Sequence, residues 1–334
     1  MNIISVDNNW PNDVLYIDIN IGNICNYKCW YCWPNSNTGD QPWPDLETLK
    51  TNIAHLIVYY KEHTNKQVFD IHFCGGEPTH WPKLGDFIKY CKENFNCLIS
   101  MTSNGSKKRT WWNKYGQYFD RIHMSCHHEY VKIDQYRDLC DDLVDRGVVV
   151  SVSMMMDPHA WDECIKIVEQ LKQSKRQWTI RYVDIIDPNV TYNEEQYAVL
   201  QQHRARRVNP IWFWRHNKYY VSKVTVVDDQ GKKHRFNENE ILLKKMNNFY
   251  GWECSVGVNW VDISSTGRIS GTCGQILYNE DQNYNLYDAD FAEKFQPTVR
   301  PSICTQTKCV CNIETVMPKK YISNNKKVIP IRAY

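Results

Sequence analysis

Short apolar runs and longer amphipathic segments alternate along the first 190 residues. The apolar runs have the length of buried strands, and the segments between them repeat apolar residues every three or four positions, as helices do. The six predicted strands lie at 14–21, 68–73, 98–102, 121–125, 148–153 and 179–185. Strands that alternate with helices predict a parallel sheet with right-handed crossovers, and therefore an α/β fold.

The alternation stops after about residue 190. Residues 192–207 have a helical pattern, and the stretch that follows predicts a hairpin with its turn at Asp229-Gln230-Gly231. A second predicted hairpin has its turn at 265–267. We therefore expect three domains, namely an α/β domain at 1–190, a linking helix and hairpin segment at 191–250, and a small cysteine-rich α+β domain at 251–334.

Composition narrows the class of protein. The 334 residues are 42% hydrophobic and 23% charged, which is ordinary for a soluble globular protein, and the net charge is only +2. No apolar run approaches the roughly 20 residues that span a bilayer, so we predict no membrane partner. The N-terminus lacks the pattern of a signal peptide, and 14 cysteines without an export signal indicate metal ligands and buried thiols in the reducing cytoplasm.

Three of these cysteines, Cys25, Cys29 and Cys32, follow the first predicted strand at a CxxxCxxC spacing. Three thiolates on one tight loop suit a soft metal or an iron–sulfur cluster. A cubane cluster has four irons, so three protein ligands leave one iron open to a substrate or cosubstrate. The alternative is a zinc knuckle or three unrelated thiols, although no histidine lies within the motif to complete a zinc site.

A second motif, Gly75-Gly76-Glu77 followed by Pro78, stands at the end of the second predicted strand. With Tyr31 before the third cysteine, the two motifs resemble those of the radical S-adenosylmethionine (SAM) enzymes. The resemblance implies a partial (β/α)6 barrel over the predicted α/β domain. It also implies that Cys25, Cys29 and Cys32 hold a [4Fe–4S] cluster, that SAM chelates the open iron, and that an external reductant such as flavodoxin or ferredoxin supplies one electron.

The same resemblance implies roles for residues at the ends of the strands, where such folds place their chemistry. Gly75, Gly76, Glu77 and the adjoining Pro78 would receive the SAM amine, and Tyr31 would lie against the adenine. Four further residues are expected near the ribose or the carboxylate, namely Ser103, Asn104, Ser125 and Arg181. Cys126 follows the fourth strand, and we expect it to face the barrel interior as a candidate hydrogen-atom donor.

Five cysteines occur late in the chain: Cys254, Cys273, Cys304, Cys309 and Cys311. A cysteine, a hairpin, a second cysteine and a late cluster resemble the SPASM/twitch extensions of radical SAM enzymes. This resemblance implies a second, auxiliary [4Fe–4S] cluster, which takes at most four of the five. The alternative is a zinc ribbon.

Residues 203–235 give the sequence's indication of the substrate class. They contain nine lysines and arginines and two aspartates, so their local net charge is +7. Aromatic residues are interleaved with the cations, a composition that suits phosphates and stacked bases. The residues predicted to contact substrate are Arg206, Arg207, Trp212, Trp214 and Arg215. We expect a nucleotide, a nucleic-acid base or another phosphorylated molecule. The alternatives are a solvated hairpin on an enzyme that modifies peptides or amino acids, and a non-enzymatic protein that binds iron–sulfur clusters or zinc.

Overall fold

The computed structural model describes most of the chain. The described residues are 2–7, 11–32, 36–185, 187, 189–203, 224–236, 241, 245–271, 277, 283–307, 309, 317–322 and 331–332. They fall into two compact units, the first made of 1–18, 51–69 and 206–334 and the second of 19–50 and 70–205. The predicted domain boundaries at 190 and 250 stay a prediction.

The second unit is built on a sheet whose strands follow chain order. Strands β2 (Val14–Asn20) and β3 (Val68–Cys74) begin in the first unit and end in the second. They are followed by β4 (Cys97–Ser103), β5 (Arg121–Cys126), β6 (Val149–Met156) and β7 (Thr179–Asp184). Strands β4 to β7 pair in parallel, with Ser100 opposite Arg121, His123 opposite Ser151, and Ser153 opposite Arg181. The predicted α/β fold with a parallel sheet is confirmed.

Amphipathic helices connect these strands. They are α1 (Leu46–His63), α2 (Leu84–Asn94), α3 (Arg109–Tyr115), α4 (Ile133–Asp145), α5 (Trp161–Leu171) and, after β7, α6 (Glu194–His203). Each of α2, α4 and α5 buries one apolar stripe, and that stripe includes Cys91, Cys140 and Cys164 in turn. A free cysteine in such a stripe packs as a small hydrophobic residue.

The first unit contains an antiparallel sheet in the strand order β13-β10-β14-β1-β8-β9, with β15 paired to β1. Its strands are β1 (Asn2–Asp7), β8 (Val224–Asp228), β9 (Lys233–Phe236), β10 (Glu253–Cys254), β13 (Ser302–Ile303), β14 (Lys319–Lys320) and β15 (Ile331–Arg332). One hydrophobic core joins β1 and β8 to Phe249 and Trp252. The chain's beginning is therefore held by strands more than 200 positions away.

The rest of the first unit packs around α1. Tyr60 of α1 donates a hydrogen bond to the Gly257 carbonyl at 2.5 Å, and Asn52 donates to the carbonyls of Leu286 and Asp288 at 2.8 Å. The hairpin of β11 (Trp260–Ile263) and β12 (Ile269–Ser270) lies beside β2, and a short helix, α7 (Phe291–Lys294), follows it. Both predicted hairpins are confirmed.

Several elements were not predicted, namely strands β1, β10, β13, β14 and β15 and helices α3 and α7. In the described part of the chain, no helix has the length and apolarity needed to cross a membrane.

Candidate active site

The three cysteines of the CxxxCxxC motif lie on the irregular loop that follows β2. The Tyr27 amide donates to Cys25 Sγ at 3.4 Å, and the Asn104 side-chain amide lies 4.0 Å from the same sulfur. Cys29 Sγ lies 3.4 Å from His127 Nδ1. Two of the three sulfurs thus have nitrogen groups within reach, an environment that tunes the thiolates of iron–sulfur sites.

Gly75 and Gly76 are required because their loop packs backbone against backbone on the cysteine loop. Gly75 has φ +120°, a conformation that favours glycine, and a Cβ there would overlap the Gly22 carbonyl. A Cβ on Gly76 would overlap the Ile24 carbonyl. The amides of Gly76 and Glu77 donate to the carbonyls of Gly22 and Ile24, both at 2.9 Å. The two motifs therefore form one backbone-bonded unit.

The Glu77 carboxylate is the centre of this unit, and only 1% of the residue is exposed. Its Oε1 accepts from Thr79 Oγ1 at 2.6 Å and from Ser103 Oγ at 2.8 Å. Its Oε2 accepts from the Asn104 amide at 2.7 Å. The Glu77 side chain therefore joins the loops after β3 and β4, and Pro78 begins the short 3₁₀ turn that follows.

The loop after β4 in turn contacts the cysteine loop. The Asn104 side chain donates to Asn26 Oδ1 at 3.0 Å, and the Ser106 hydroxyl lies 3.2 Å from the same oxygen. The side chains of Ser103 and Asn104 were predicted to contact SAM. In the structure Ser103 donates to Glu77 and Asn104 donates to Asn26, so both side chains hold neighbouring loops in position.

Tyr31 lies against a histidine that the sequence did not single out as a site residue. The ring planes of Tyr31 and His127 are stacked with centroids 5.9 Å apart, and Tyr31 Oη is 3.0 Å from Nδ1. Burial lowers the pKa of His127 to about 4. The imidazole is therefore neutral at pH 7, and its Nδ1 can accept the Tyr31 hydroxyl proton in a hydrogen bond.

Asp157, directly after β6, also contacts the cysteine loop. Its Oδ2 accepts from the indole nitrogen of Trp30 at 3.0 Å and lies 3.3 Å from His128 Nε2. Its Oδ1 accepts from the His159 amide at 2.8 Å. The signal that could have found Asp157 is its position, because a polar residue immediately after a parallel strand stands at the edge that carries chemistry.

Polar side chains occupy one face of β3 to β7, where a packed core would be apolar. We call this set the polar face: Asp70, His72, Ser100, Thr102, Arg121, His123, Ser125, Ser151, Ser153 and Arg181. Alternate residues of the same strands, such as Ile122 and Val152, are fully buried and apolar. His123, Ser125, Ser151 and Arg181 are partly exposed, so a polar molecule can reach this face.

Both arginines of the polar face donate hydrogen bonds to side chains on other strands of the sheet. Arg121 donates to both oxygens of Asp70, at 2.9 and 3.0 Å, and Arg181 donates to Ser153 Oγ at 2.5 Å. Burial, followed by the nearby charges of Arg121 and Arg181, lowers the pKa of His72 to about 3. With His72 neutral, the two arginines exceed the one aspartate among these four residues.

Cys126 lies on the other side of β5. It shares a face with Ile122 and Met124 and is fully buried, and the thiols that influence it belong to Cys140 and Cys164 on the helices. The expectation that Cys126 faces the barrel interior is wrong, because strand residues alternate and it stands one position beyond Ser125. The structure gives its predicted role as hydrogen-atom donor no support.

The three thiols of the cysteine loop are the donors that a [4Fe–4S] cluster would use. Among the residues that the structure describes, no three His, Cys, Asp or Glu side chains stand close enough to share a metal ion. Burial raises the pKa of Cys29 to about 12 and raises that of Cys25, so metal binding must displace both thiol protons. The donor set itself fits, since three thiols share one short loop and nitrogen groups lie near the sulfurs of Cys25 and Cys29.

The late cysteines form a second group in the first unit. Cys304 and Cys309 belong to its hydrophobic core, and Cys254 is buried on β10. Burial raises the pKa of Cys304 to about 11, and the nearby Cys254 and Cys309 add to this shift. Cys273 and Cys311 lie outside the described residues, as do the five predicted substrate residues Arg206, Arg207, Trp212, Trp214 and Arg215.

Comparison with known proteins identifies the domain that contains these loops. Residues 19–128 match the model of the radical SAM superfamily. This segment is a radical SAM domain. It includes both motifs, the loop after β4 and His127, and the family implies a [4Fe–4S] cluster and SAM as cosubstrate.

Curated relatives match parts of the chain. Over 184 residues the chain is 32% identical to the S-adenosylmethionine-dependent nucleotide dehydratase RSAD2 of Siniperca chuatsi, and the match covers 53% of this chain and 47% of the relative. The RSAD2 of Danio rerio is 36% identical over 107 residues, 30% of this chain and 27% of the relative. A GTP 3′,8-cyclase of Campylobacter jejuni (strain RM1221) is 23% identical over 194 residues, 54% of this chain and 59% of the relative. The chain thus spans less than two thirds of each relative's length.

Solved structures support the fold. The structure of anSMEcpe with bound AdoMet has a TM-score of 0.51 at 15% identity and covers 85% of this chain and 80% of its own. Streptococcus suis SuiB bound to precursor peptide SuiA has a TM-score of 0.52 at 14% identity and covers 84% of this chain and 64% of its own. At these identities the likeness shows a shared fold alone.

Proposed function

We propose that this chain is an enzyme that reductively cleaves SAM and takes a hydrogen atom from a nucleotide, a nucleic-acid base or another phosphorylated molecule. The observation that carries the proposal is the polar face, which lies on the same sheet as the loops of the radical SAM domain and presents the partly exposed side chains of His123 and Arg181. Polar side chains inside an α/β unit stabilise the fold less than apolar ones, because each buried polar group needs a hydrogen-bond partner. A polar face at this place is therefore better explained by a polar ligand than by packing. Relatives named for reactions of nucleotides support the choice of substrate class.

In this proposal Cys25, Cys29 and Cys32 hold the cluster. When bound, the cluster and SAM supply a 5′-deoxyadenosyl radical to the site. The chain's own part is to position: Glu77 fixes the loops around the cysteines, and Arg181 and His123 of the polar face hold an anionic or hydrogen-bonding substrate. A second [4Fe–4S] cluster at the late cysteines, a substrate clamp at 191–250 and a cytoplasmic location complete the proposal.

Anaerobic reconstitution with iron and sulfide, followed by SAM and dithionite, tests the reaction class. We expect the wild type to release 5′-deoxyadenosine and the Cys25→Ala/Cys29→Ala/Cys32→Ala variant to release none. Cys91→Ala is the matched control, because its thiol is buried in the apolar stripe of α2. SAM cleavage retained by the triple variant would exclude the cysteine loop as the cluster site.

A binding titration tests the substrate class separately. We expect nucleoside triphosphates or a single-stranded oligonucleotide to bind, and to bind more weakly as salt rises, because neutralised phosphates release counterions. Reversing Arg206, Arg207 and Arg215 to Glu should weaken that binding and leave SAM cleavage intact. If none of these ligands binds, or the variant binds them equally well, the substrate is not phosphorylated.

A further inference from the structure

An open cavity of about 730 Å³ lies beside the cysteine loop and is lined in part by α3. Its wall includes Asn26 of the cysteine loop, and the rest comes mainly from α3 and the turn before it. The lining residues that matter here are Asn26, Lys107, Lys108, Trp111, Lys114 and Tyr115. We call this set the lysine surface.

The charge of the lysine surface is strongly one-sided. Residues 106–115 contain three lysines and Arg109 with no acidic residue, and Arg109 is paired with Asp142. None of the ion pairs found in the described part of the chain involves Lys107, Lys108 or Lys114. Lys108 and Lys114 are exposed, and the ammonium of Lys114 lies 4.7 Å from the Tyr115 ring. The Asp86 carboxylate accepts a hydrogen bond from the Tyr115 hydroxyl at 3.0 Å.

The lysine surface reaches the cysteine loop through Asn26, the residue next to Cys25. Asn26 Oδ1 is held by Asn104 and lies 3.2 Å from the hydroxyl of Ser106, the residue before Lys107. Electron transfer slows steeply with distance, so a protein that reduces a cluster must dock close to the cluster's ligands. The wall of this cationic cavity includes Asn26, which is the neighbour of the expected cluster ligand Cys25.

We propose that the lysine surface docks an acidic one-electron donor protein that reduces the cluster held by the cysteine loop. This rests on the proposed function. In the transfer, the donor's redox group loses one electron and the cluster gains it, and no atom changes place. A positive surface attracts an acidic partner and speeds the encounter, an effect that salt weakens.

A free nucleotide or phosphate is the other ligand that lysines attract. The lysines favour a protein because two of the three are exposed point charges, whereas a site for a small anion holds its ligand with a few precisely placed polar groups. Trp111 and Tyr115 add aromatic contact area, which is enriched where proteins meet.

Stopped-flow reduction of the reconstituted enzyme tests the proposal with two electron sources, reduced flavodoxin as the acidic protein and dithionite as a small reductant. We expect Lys107→Glu/Lys108→Glu/Lys114→Glu to slow reduction by flavodoxin by about tenfold or more at low salt. Reduction by dithionite should stay at the wild-type rate, which also shows that the variant is folded and loaded.

The matched control is Lys166→Glu/Lys172→Glu/Lys175→Glu, which changes the net charge equally at exposed lysines on and after α5. It should be reduced by flavodoxin at nearly the wild-type rate. Equal flavodoxin rates in the two triple variants would overturn the proposal, and so would loss of nucleotide binding without loss of flavodoxin reduction. Lys108→Glu alone, at an exposed position, repeats the test with less perturbation. If dithionite and SAM yield no 5′-deoxyadenosine in the wild type, the proposed function has failed instead.

Discussion

The contact between the cysteine loop and the Gly75-Gly76-Glu77 loop depends on individual atoms of Gly76 and Glu77. Gly76 is needed because a Cβ would overlap the Ile24 carbonyl, and Glu77 is needed because four donors converge on its carboxylate. Neither requirement involves SAM directly. Both residues hold the cysteine loop in place, so their substitution should first change stability and cluster loading.

Glu77→Gln should lower the free energy of unfolding by about 1–3 kcal/mol, because its new amide group would face a donor in a buried site. Urea denaturation of the two proteins measures the difference. Glu93→Gln is the control, since Glu93 is exposed and has only a 3.6 Å surface pair with Lys89. Equal stability of Glu77→Gln and wild type would contradict the structural role of this carboxylate.

Gly76→Ala should reduce the iron and sulfide bound per chain after reconstitution, because the added methyl group pushes the cysteine loop away. Elemental analysis and the visible absorbance of the cluster measure this. In Gly116→Ala the new Cβ would lie 3.1 Å from the Leu143 side chain and 3.9 Å from that of Arg146 and would overlap no backbone, so loading should be normal. Full loading of Gly76→Ala would show that the loop adapts without loss.

His72 should make the protein less stable in acid. Its folded pKa of about 3 lies below the ordinary value, so between about pH 6.5 and 3 only the unfolded chain takes up this proton. Stability therefore falls as pH falls through this window, by about 1.4 kcal/mol per pH unit for this group. From pH 7 to 5, His72→Gln should lose about 2 kcal/mol less stability than wild type. Urea titrations at both pH values measure this difference. In the control His63→Gln, at an exposed position, the free energy of unfolding should change with pH as it does in the wild type. The same change in His72→Gln would show that the pKa of His72 is not shifted.

The ends of strands bring together residues that are far apart in the chain. Asp157 follows β6 and reaches Trp30 of the cysteine loop and His128 after β5. The neighbouring loops after β3 and β4 are joined by Glu77. Each loop is thus fixed by a side chain from a different strand end, which explains how irregular segments keep one geometry.

Asp157→Ala should loosen the cysteine loop without unfolding the sheet. The indole of Trp30 and the His159 amide lose their acceptor, at a cost of about 1–3 kcal/mol. Hydrogen exchange should quicken in peptides covering 25–32 and 157–161 and stay unchanged in β4. Asp162→Ala, at an exposed position on α5, is the control. Unchanged exchange in 25–32 would show that Asp157 does not hold that loop.

At the scale of the whole molecule, the chain contains two groups of thiols in two compact units. The first, Cys25, Cys29 and Cys32, lies in the second unit within the radical SAM domain. The other includes Cys304 and Cys309, which are part of a hydrophobic core, together with the buried Cys254. If the second group also binds a cluster, each unit loads metal independently.

The wild type should therefore bind about eight irons per chain, as two cubane clusters. Cys304→Ala should lose about half of that iron and retain a SAM-dependent spectral change at the first cluster. Cys91→Ala should keep all of it. Elemental analysis distinguishes the outcomes, since about four irons with one zinc in the wild type would favour a zinc ribbon.

The order of the strands in the second unit and the two motif loops were predictable from the sequence, because periodicity and short motifs are local properties of the chain. The tertiary structure decided what depends on distant residues: β1 finds its partners beyond residue 224, and Cys126 faces the helices rather than the polar face. The Glu77 and Asp157 contacts span 26 to 127 positions. No local pattern encodes such pairs, since packing of the whole unit selects which polar atoms meet.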